Sequence, residues 1–253
     1  MVYNLYMSSA SPVPEDLTYL QKARLFRDLP PAELREIARM GRRRYAATDA
    51  FLFHQGQPAA VLYVLLAGQV KMTQITPEGQ QIILRVVSPG EMFGAVAALG
   101  EAVYPASAQA ADACVALGWD SATITDLMER FPHLTLNALG IVVARVHEFQ
   151  DRYRELATER VERRVARALL RLVPQVGRRV EGGLLLDLTL SRQDLAEMTG
   201  TTLFTVSRIL SRWEQAGLIE SGRERVVLRR PHSLVEIAED LPPGGPPAPD
   251  PAK

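Results

Sequence analysis

Between Ser191 and Arg212 the chain gathers hydroxyls and guanidiniums at helical spacing, in SRQDLAEMTGTTLFTVSRILSR. Val206, Ile209, Leu210 and Trp213 recur at the spacing of one buried helix face. That leaves Thr201, Thr202, Thr205, Ser207, Arg208 and Arg212 outside, with Leu203 and Phe204 in the first turn. The Arg208 fork suits guanine, and hydroxyls bond phosphates or base edges. Ser191, Arg192 and Gln193 open the preceding helix, where amide donors and the helix dipole favour phosphate. Arg223 and Arg225 follow on a strand–turn–strand, placed to grip a backbone. These are groups for holding a polyanion. The chain has no nucleophile–base–orienter set, no glycine loop for phosphates and no cluster of metal-ligand spacing, so neither an enzyme nor a metal site is expected.

The elements that must position these groups are legible around them. Ser191 reads as an N-cap, with Asp194 at the capping-box position and Gly200 as the turn. A second helix, TTLFTVSRILSRWEQAG, ends at Gly217, and LIESGRERVVLRRP reads as two strands about a tight turn. Before them, ERVERRVARALLRLV carries Val161, Val165, Leu169 and Leu172 on one face, with Pro174 and Gly177 expected to end it, and LLLDLTL reads as a short strand. Helix, turn, helix and β-wing make a winged helix-turn-helix over residues 158–235. The competing reading is a helical hairpin that binds protein.

Upstream lies one long helix, over residues 134–157. Leu139, Val142, Val146, Phe149, Tyr153 and Leu156 are spaced 3, 4, 3, 4 and 3, the seam of a heptad repeat. A two-stranded coil needs a second copy of that seam, so a homodimer is expected. The alternative is a helix packed on its own domain, and Ile141 and Val143 widen the stripe enough for both.

From about residue 44 to 119 the rhythm changes to short β-rich runs. Gly56, Gly68, Gly79 and Gly90 recur at spacings of 12, 11 and 11, and Pro77-Glu78-Gly79 between VKMTQI and QIILRVV signals a hairpin. The expected fold is α+β, with a β-roll over residues 20–133 that includes flanking helices. Residues 14–40 read as two short helices, the second started by Pro30-Pro31. Residues 1–19 read as an N-terminal arm and the Pro/Gly-rich 236–253 as a disordered tail.

Lys+Arg and Asp+Glu number 29 each, yet residues 158–230 hold 14 Arg against 9 acidic residues, a local surplus of 5. That surplus suggests a polyanion partner there, or a solvated charged face. The single cysteine, Cys114, excludes an iron–sulfur cluster held by several thiolates and reads as a buried structural thiol. No apolar stretch is long enough for a membrane span and the N-terminus lacks signal-peptide features, so the expectation is a cytoplasmic protein with no membrane partner.

In this order — β-roll, long helix, winged helix-turn-helix — the chain resembles the catabolite activator and fumarate–nitrate regulator (CRP/FNR) family over about residues 20–235. The resemblance is carried by LFRDLPPAELREIA, the F-x-x-G-x-P-A-x-x-L-Y-V-L-L-A-G-Q-V run, SPGEMFG and LSRQDLAEMTGTTLFTVSRILSRWEQAGLI. It implies a cyclic-nucleotide-binding-like jelly roll, a dimer on a pseudo-palindromic double-stranded DNA operator, and RNA polymerase as a partner. A signal in the roll would turn the DNA domains about a hinge near residues 158–161.

The resemblance places the effector pocket at Phe93, Gly94, Ala95, Val96, Tyr104, Pro105, Ala106 and Ser107, with His147 from the long helix. Members that bind cyclic AMP carry a Glu where this chain has Ala95 and an Arg-Ser pair where it has Tyr104-Pro105. Without those groups a buried cyclic phosphate would go unpaired, so cyclic AMP is not expected. YPASAQA, residues 104–110, resembles the nitrogen-oxide-responsive branch, thought to use haem. Haem would want an axial His, Cys or Met. Of His54, His133, His147 and His232, only His147 is expected to face the roll from the dimer helix, and the competing reading is a solvated helix histidine.

Many family members place Glu at position 204, to accept from cytosine; Phe204 cannot accept. It is expected either to contact a thymine methyl or to pack against the wing, and the operator to differ from the family's usual half-sites. Two other functions stay open: a member that binds DNA constitutively, with residues 95–99 filling their own pocket, and a regulatory dimer that binds no DNA.

Overall fold

The computed structural model describes residues 14–99, 102–188, 190–222 and 225–241. Two units divide between Gln150 and Asp151. Most of the proposed arm and tail lie outside the described residues, but both boundaries shift. Helix α1 (Pro14–Lys22) begins inside the residues read as an arm and carries fully buried Leu20 in its last turn. A turn of 3₁₀ helix (Arg24–Phe26) and α2 (Pro31–Met40) follow, the latter with Pro at its first position, where a missing N–H costs nothing.

Among the described residues, the first unit holds eight strands: β1 (Arg42–Ala46), β2 (Phe51–Phe53), β3 (Val61–Ala67), β4 (Val70–Ile75), β5 (Gln81–Val87), β6 (Met92–Phe93), β7 (Ser107–Ala110) and β8 (Cys114–Asp120). They pair antiparallel into two sheets, ordered β1-β8-β3-β6 and β2-β7-β4-β5. The expected hairpin joins β4 to β5: Gly79 donates to the Thr76 carbonyl at 2.9 Å and sits at φ +80, where a side chain would be strained.

Strand β3 explains the layering. Alternate side chains point to opposite faces, and both faces are covered. Leu62, Val64 and Leu66 enter a core shared with Leu20, Ile37, Trp119 and Leu127, beneath the helices. Tyr63 and Leu65 enter a second core with Phe53, Val87, Phe93, Tyr104 and Cys114. The Trp119 indole N–H, buried, donates to the Ile37 carbonyl at 2.8 Å and ties that core to α2. Cys114 is buried as expected, and burial first, then Asp112, pushes its thiol up to about 11.

Helix α3 (Ser121–Arg130) is capped by Asp120, which accepts from the Thr123 N–H. Helix α4 (Pro132–Thr158) is the long helix of the sequence reading, a turn of residues wider than 134–157. In the first unit Leu134 is fully buried and Ile141 packs on the helical core, while the Asn137 amide donates to the carbonyls of Leu25 and Arg27.

In the second unit, α5 (Val161–Val176) buries Val165, Leu169 and Leu172 of the expected stripe, while Val161 is half-buried. Pro174 does not end this helix. It sits inside the last turn, and the end falls at Gly177, whose N–H bonds to the Val173 carbonyl. Strands β9 (Gly177–Val180) and β10 (Gly183–Leu186) precede α6 (Arg192–Thr199) and α7 (Leu203–Gln215), and β11 (Ile219–Gly222) and β12 (Arg225–Leu228) follow. The sheet order is β11-β12-β10-β9, so the wing is half of a four-stranded sheet. A last helix, α8 (Pro231–Glu239), buries Leu234 and Ala238. The boundary expected at residue 235 therefore falls inside a packed helix.

Candidate DNA-contacting helix and small-molecule pocket

Local chemistry fixes the helix-turn-helix. The Ser191 hydroxyl accepts from the Asp194 N–H at 3.0 Å, and the Asp194 carboxylate accepts from the Ser191 N–H at 2.8 Å, a closed capping box. Gly200 ends α6 in the left-handed region at φ +60, ψ +48. Thr202 caps α7, its hydroxyl accepting from the Thr205 N–H at 3.2 Å. Val206, Ile209, Leu210 and Trp213 are all buried, as their spacing requires.

The opposite face of α7 is bare. Thr202, Leu203, Phe204, Arg208 and Arg212 are exposed, and Thr201, Thr205 and Ser207 are half-buried. Phe204 is 75% exposed, so it does not pack against the wing. Arg208 makes no hydrogen bond or ion pair with any described residue. Arg212 lies 3.7 Å from Glu162, and Ser211 and Gln215 complete a shallow groove beside these two arginines. Ser211 was readable from its place three residues after Arg208, on the same side of the helix.

The residues that open α6 are more committed. The Ser191 hydroxyl belongs to the capping box. Arg192 donates to the Ser221 hydroxyl at 3.3 Å and lies 3.9 Å from Glu214, so it links α6 to the wing. Gln193 is exposed and donates to Glu197. Arg225 is exposed on β12, and Arg223 lies outside the described residues.

In the first unit a cavity of about 390 Å³ opens between the roll and α4. Seven of the expected pocket residues line it: Phe93, Gly94, Ala95, Val96, Tyr104, Pro105 and Ala106. Two do not. Ser107 is buried in β7, its hydroxyl accepting from the Gln55 N–H at 2.9 Å. His147 is exposed on α4, because the side of the helix that meets the cavity is that of Ile141, Val142, Arg145, Val146 and Phe149. None of the four histidines lines the cavity, whereas two methionines, Met72 and Met92, do.

Phe53, Met72, Arg85, Met92, Ile141 and Arg145 also line the cavity and were missed. Arg145 was findable, since Val142, Arg145, Val146 and Phe149 share one helical face. Arg85 was not, because its place depends on the pairing of Met72 with Arg85 across the hairpin. The expectation of a pocket without a guanidinium is corrected by these two arginines. Both face Glu91, which lies 3.6 Å from Arg85 and is ion-paired to Arg145. Burial lowers the Arg145 pKa, but Glu91 and Glu148 outweigh it and the net shift is upward.

The remaining wall is aromatic. The Phe53 and Tyr104 rings stack with centroids 3.7 Å apart. The Tyr104 hydroxyl donates to the Val61 carbonyl and accepts from the Val61 N–H, both at 2.8 Å. It presents only its ring to the cavity.

The heptad positions stay in water within one chain. Leu139, Val142, Val146, Phe149, Tyr153 and Leu156 are between 46% and 69% exposed. Ile141 turns into the core, while Val143 remains 47% exposed.

A two-sheeted roll, a long helix and a winged helix-turn-helix define a class of one-chain, two-unit transcription regulators. Residues 43–131 match the Cyclic nucleotide-binding domain family, and residues 163–237 the Crp-like helix-turn-helix domain family. The Cyclic AMP receptor protein of Thermus thermophilus is 30% identical over 217 residues, which cover 86% of this chain and 97% of that protein. The Fumarate and nitrate reduction regulatory protein of Escherichia coli is 25% identical over 187 residues, 74% of each chain. A solved CRP-family transcriptional regulator of Thermus thermophilus is 26% identical with a TM-score of 0.66, covering 78% of this chain and 97% of that one.

The chain belongs to the CRP/FNR family of transcription regulators, with a helix-turn-helix DNA-binding domain. Its relatives are regulators and not enzymes. Among the described residues no helix is long and apolar enough to cross a membrane.

Proposed function

We propose that two copies of this chain pair along the Leu139–Leu156 stripe of α4 and set their two α7 helices into successive major grooves of a pseudo-palindromic operator. The observation that carries this reading is the bare face of α7: an exposed arginine with no described partner, set among hydroxyls and opposite four buried apolar anchors. Arg208 reads guanine, Thr201, Thr205 and Ser207 serve phosphates or base edges, and Arg225 on the wing grips the backbone. RNA polymerase is the further partner that family membership suggests.

In the same reading, the cavity between roll and α4 receives a small, largely apolar signal. Val142, Val146 and Phe149 belong to both the cavity wall and the stripe, so a ligand there touches the element through which the copies pair. Cyclic AMP fits poorly. Its ribose would meet Ala95 where a carboxylate is wanted, and its phosphate would have to displace Glu91 from Arg85 and Arg145. A second reading, constitutive DNA binding without effector, would have residues 95–99 fill the pocket, whereas the cavity beside Ala95 and Val96 is open.

The test uses purified full-length chain. Sedimentation should give twice the chain mass, and affinity for duplexes selected from a random pool should fall steeply with added salt, as counterion release requires. A monomer at micromolar concentration, or salt-insensitive indifference to every duplex, rejects the proposal. An absorption and mass spectrum of the fresh protein separates the two readings: a bound apolar molecule supports sensing, and an empty protein that still binds its operator supports constitutive action.

A further inference from the structure

The first turn of α7 presents apolar side chains to solvent. The Thr202 hydroxyl caps the helix through the Thr205 N–H and lies 3.0 Å from the Thr205 hydroxyl, so these two side chains lie close to the helix. What projects freely is apolar. Leu203 is 47% exposed and Phe204 75% exposed; Phe204 lies on the half of α7 opposite Val206, Ile209, Leu210 and Trp213, and Leu203, seven residues before Leu210, borders it. Arg208 stands four residues on from Phe204, so the two lie on one face about 6 Å apart along the axis, within two base-pair steps.

We propose that Phe204, flanked by Leu203, reads the 5-methyl group of a thymine next to the guanine taken by Arg208. In the major groove, thymine alone among the four bases presents an apolar methyl, and a phenyl ring can neither donate to nor accept from the other base edges. Phe204 therefore selects for thymine through contact with its methyl and against bases that would leave a polar edge facing the ring. The occupant of this face is duplex DNA and not a second protein surface. The apolar pair is continuous with the helix-turn-helix, and Arg208 and Arg225 supply exposed positive charge on the same unit. This inference rests on the reading of α7 as the base-contacting helix.

Deoxyuridine removes the methyl and nothing else. Duplexes are first selected by the full-length protein from a random pool. Deoxyuridine then replaces thymidine one position at a time, and affinity is measured at fixed salt for the wild type and for Phe204→Ala. At one thymine in each half-site, loss of the methyl should weaken the wild type about fourfold. In Phe204→Ala the same replacement should have no effect, while binding to non-specific duplex stays unchanged. The inference is overturned if no thymine is sensitive to methyl loss, or if Phe204→Ala keeps the full sensitivity. Weaker binding by Phe204→Ala with no methyl effect overturns it too, and assigns the ring to a wedge between base pairs. If no sequence is selected at all, the underlying reading of α7 fails instead.

Discussion

The indole N–H of Trp213 donates to Glu162 Oε1 at 3.0 Å, joining α7 to the first turn of α5. Trp213 is 2% exposed, so its N–H has little other access to a partner. The same carboxylate lies 3.7 Å from Arg212. One acidic side chain thus fixes both the roll of α7 about its axis and one of its surface arginines. Glu162→Ala should cost about 1–3 kcal/mol in urea unfolding, the penalty of a buried donor left without an acceptor. It should also weaken operator binding, although Glu162 carries the wrong charge to touch DNA. Unchanged stability would show that the indole finds another acceptor.

Leu139 and Tyr153 lie on the stripe but do not line the cavity, which makes them clean probes of pairing. In the proposed dimer, Leu139→Glu would remove an apolar contact from both copies and set two carboxylates across the seam. Dimer affinity should fall about 100-fold or more by sedimentation. Thermal unfolding of the single chain should barely move, because Leu139 is already 58% exposed. A stable dimer in both Leu139→Glu and Tyr153→Glu would move the interface elsewhere.

Glu155 is 7% exposed and accepts from Arg171 at 2.7 and 2.8 Å, fastening the end of α4 to α5. Glu155→Ala strands a half-screened guanidinium. The expected loss is about 1–3 kcal/mol, below the range for a fully buried pair because a third of the Arg171 side chain is open to solvent. Removing both partners together should restore part of it. Additive losses in the double variant would show that the two do not interact.

Alkali should destabilise the roll. Burial pushes the Cys114 thiol from 9.0 up to about 11 and the Tyr63 hydroxyl from 10.0 up to about 12. Each folded group holds its proton more tightly than the unfolded chain does. The stability this contributes is intact below the unfolded values and is lost as pH rises through the folded ones, about 2–3 kcal/mol for each group. Cys114→Ala should flatten the stability profile between pH 9 and 11, as judged by denaturant midpoints, and leave the later loss in place. An unchanged profile would remove the thiol from the account.

Much of this architecture was written in local patterns. Heptad spacing located α4, glycine spacing located the turns of the roll, and the Ser191–Asp194 pair located α6, because each depends on neighbours in sequence. Tertiary pairing was less visible. Arg85 reaches the cavity through its register opposite Met72, and α8 declares itself only by packing Leu234 and Ala238. His147 shows the limit from the other side. The spacing placed it on the correct helix, but a rotation of one residue, about 100°, separates the face toward the roll from the face toward water. Phe204 stood between two readings until its exposure removed the one that packed it on the wing.

The solvent-facing row on α4 bears on how the protein responds to its own supply. If two chains must meet along that row before either can grip an operator, then at low expression the amount of competent regulator grows with the square of chain number. Halving synthesis would then cut occupancy of a weak promoter roughly fourfold, so the gene's copy number itself becomes a control on the genes it governs.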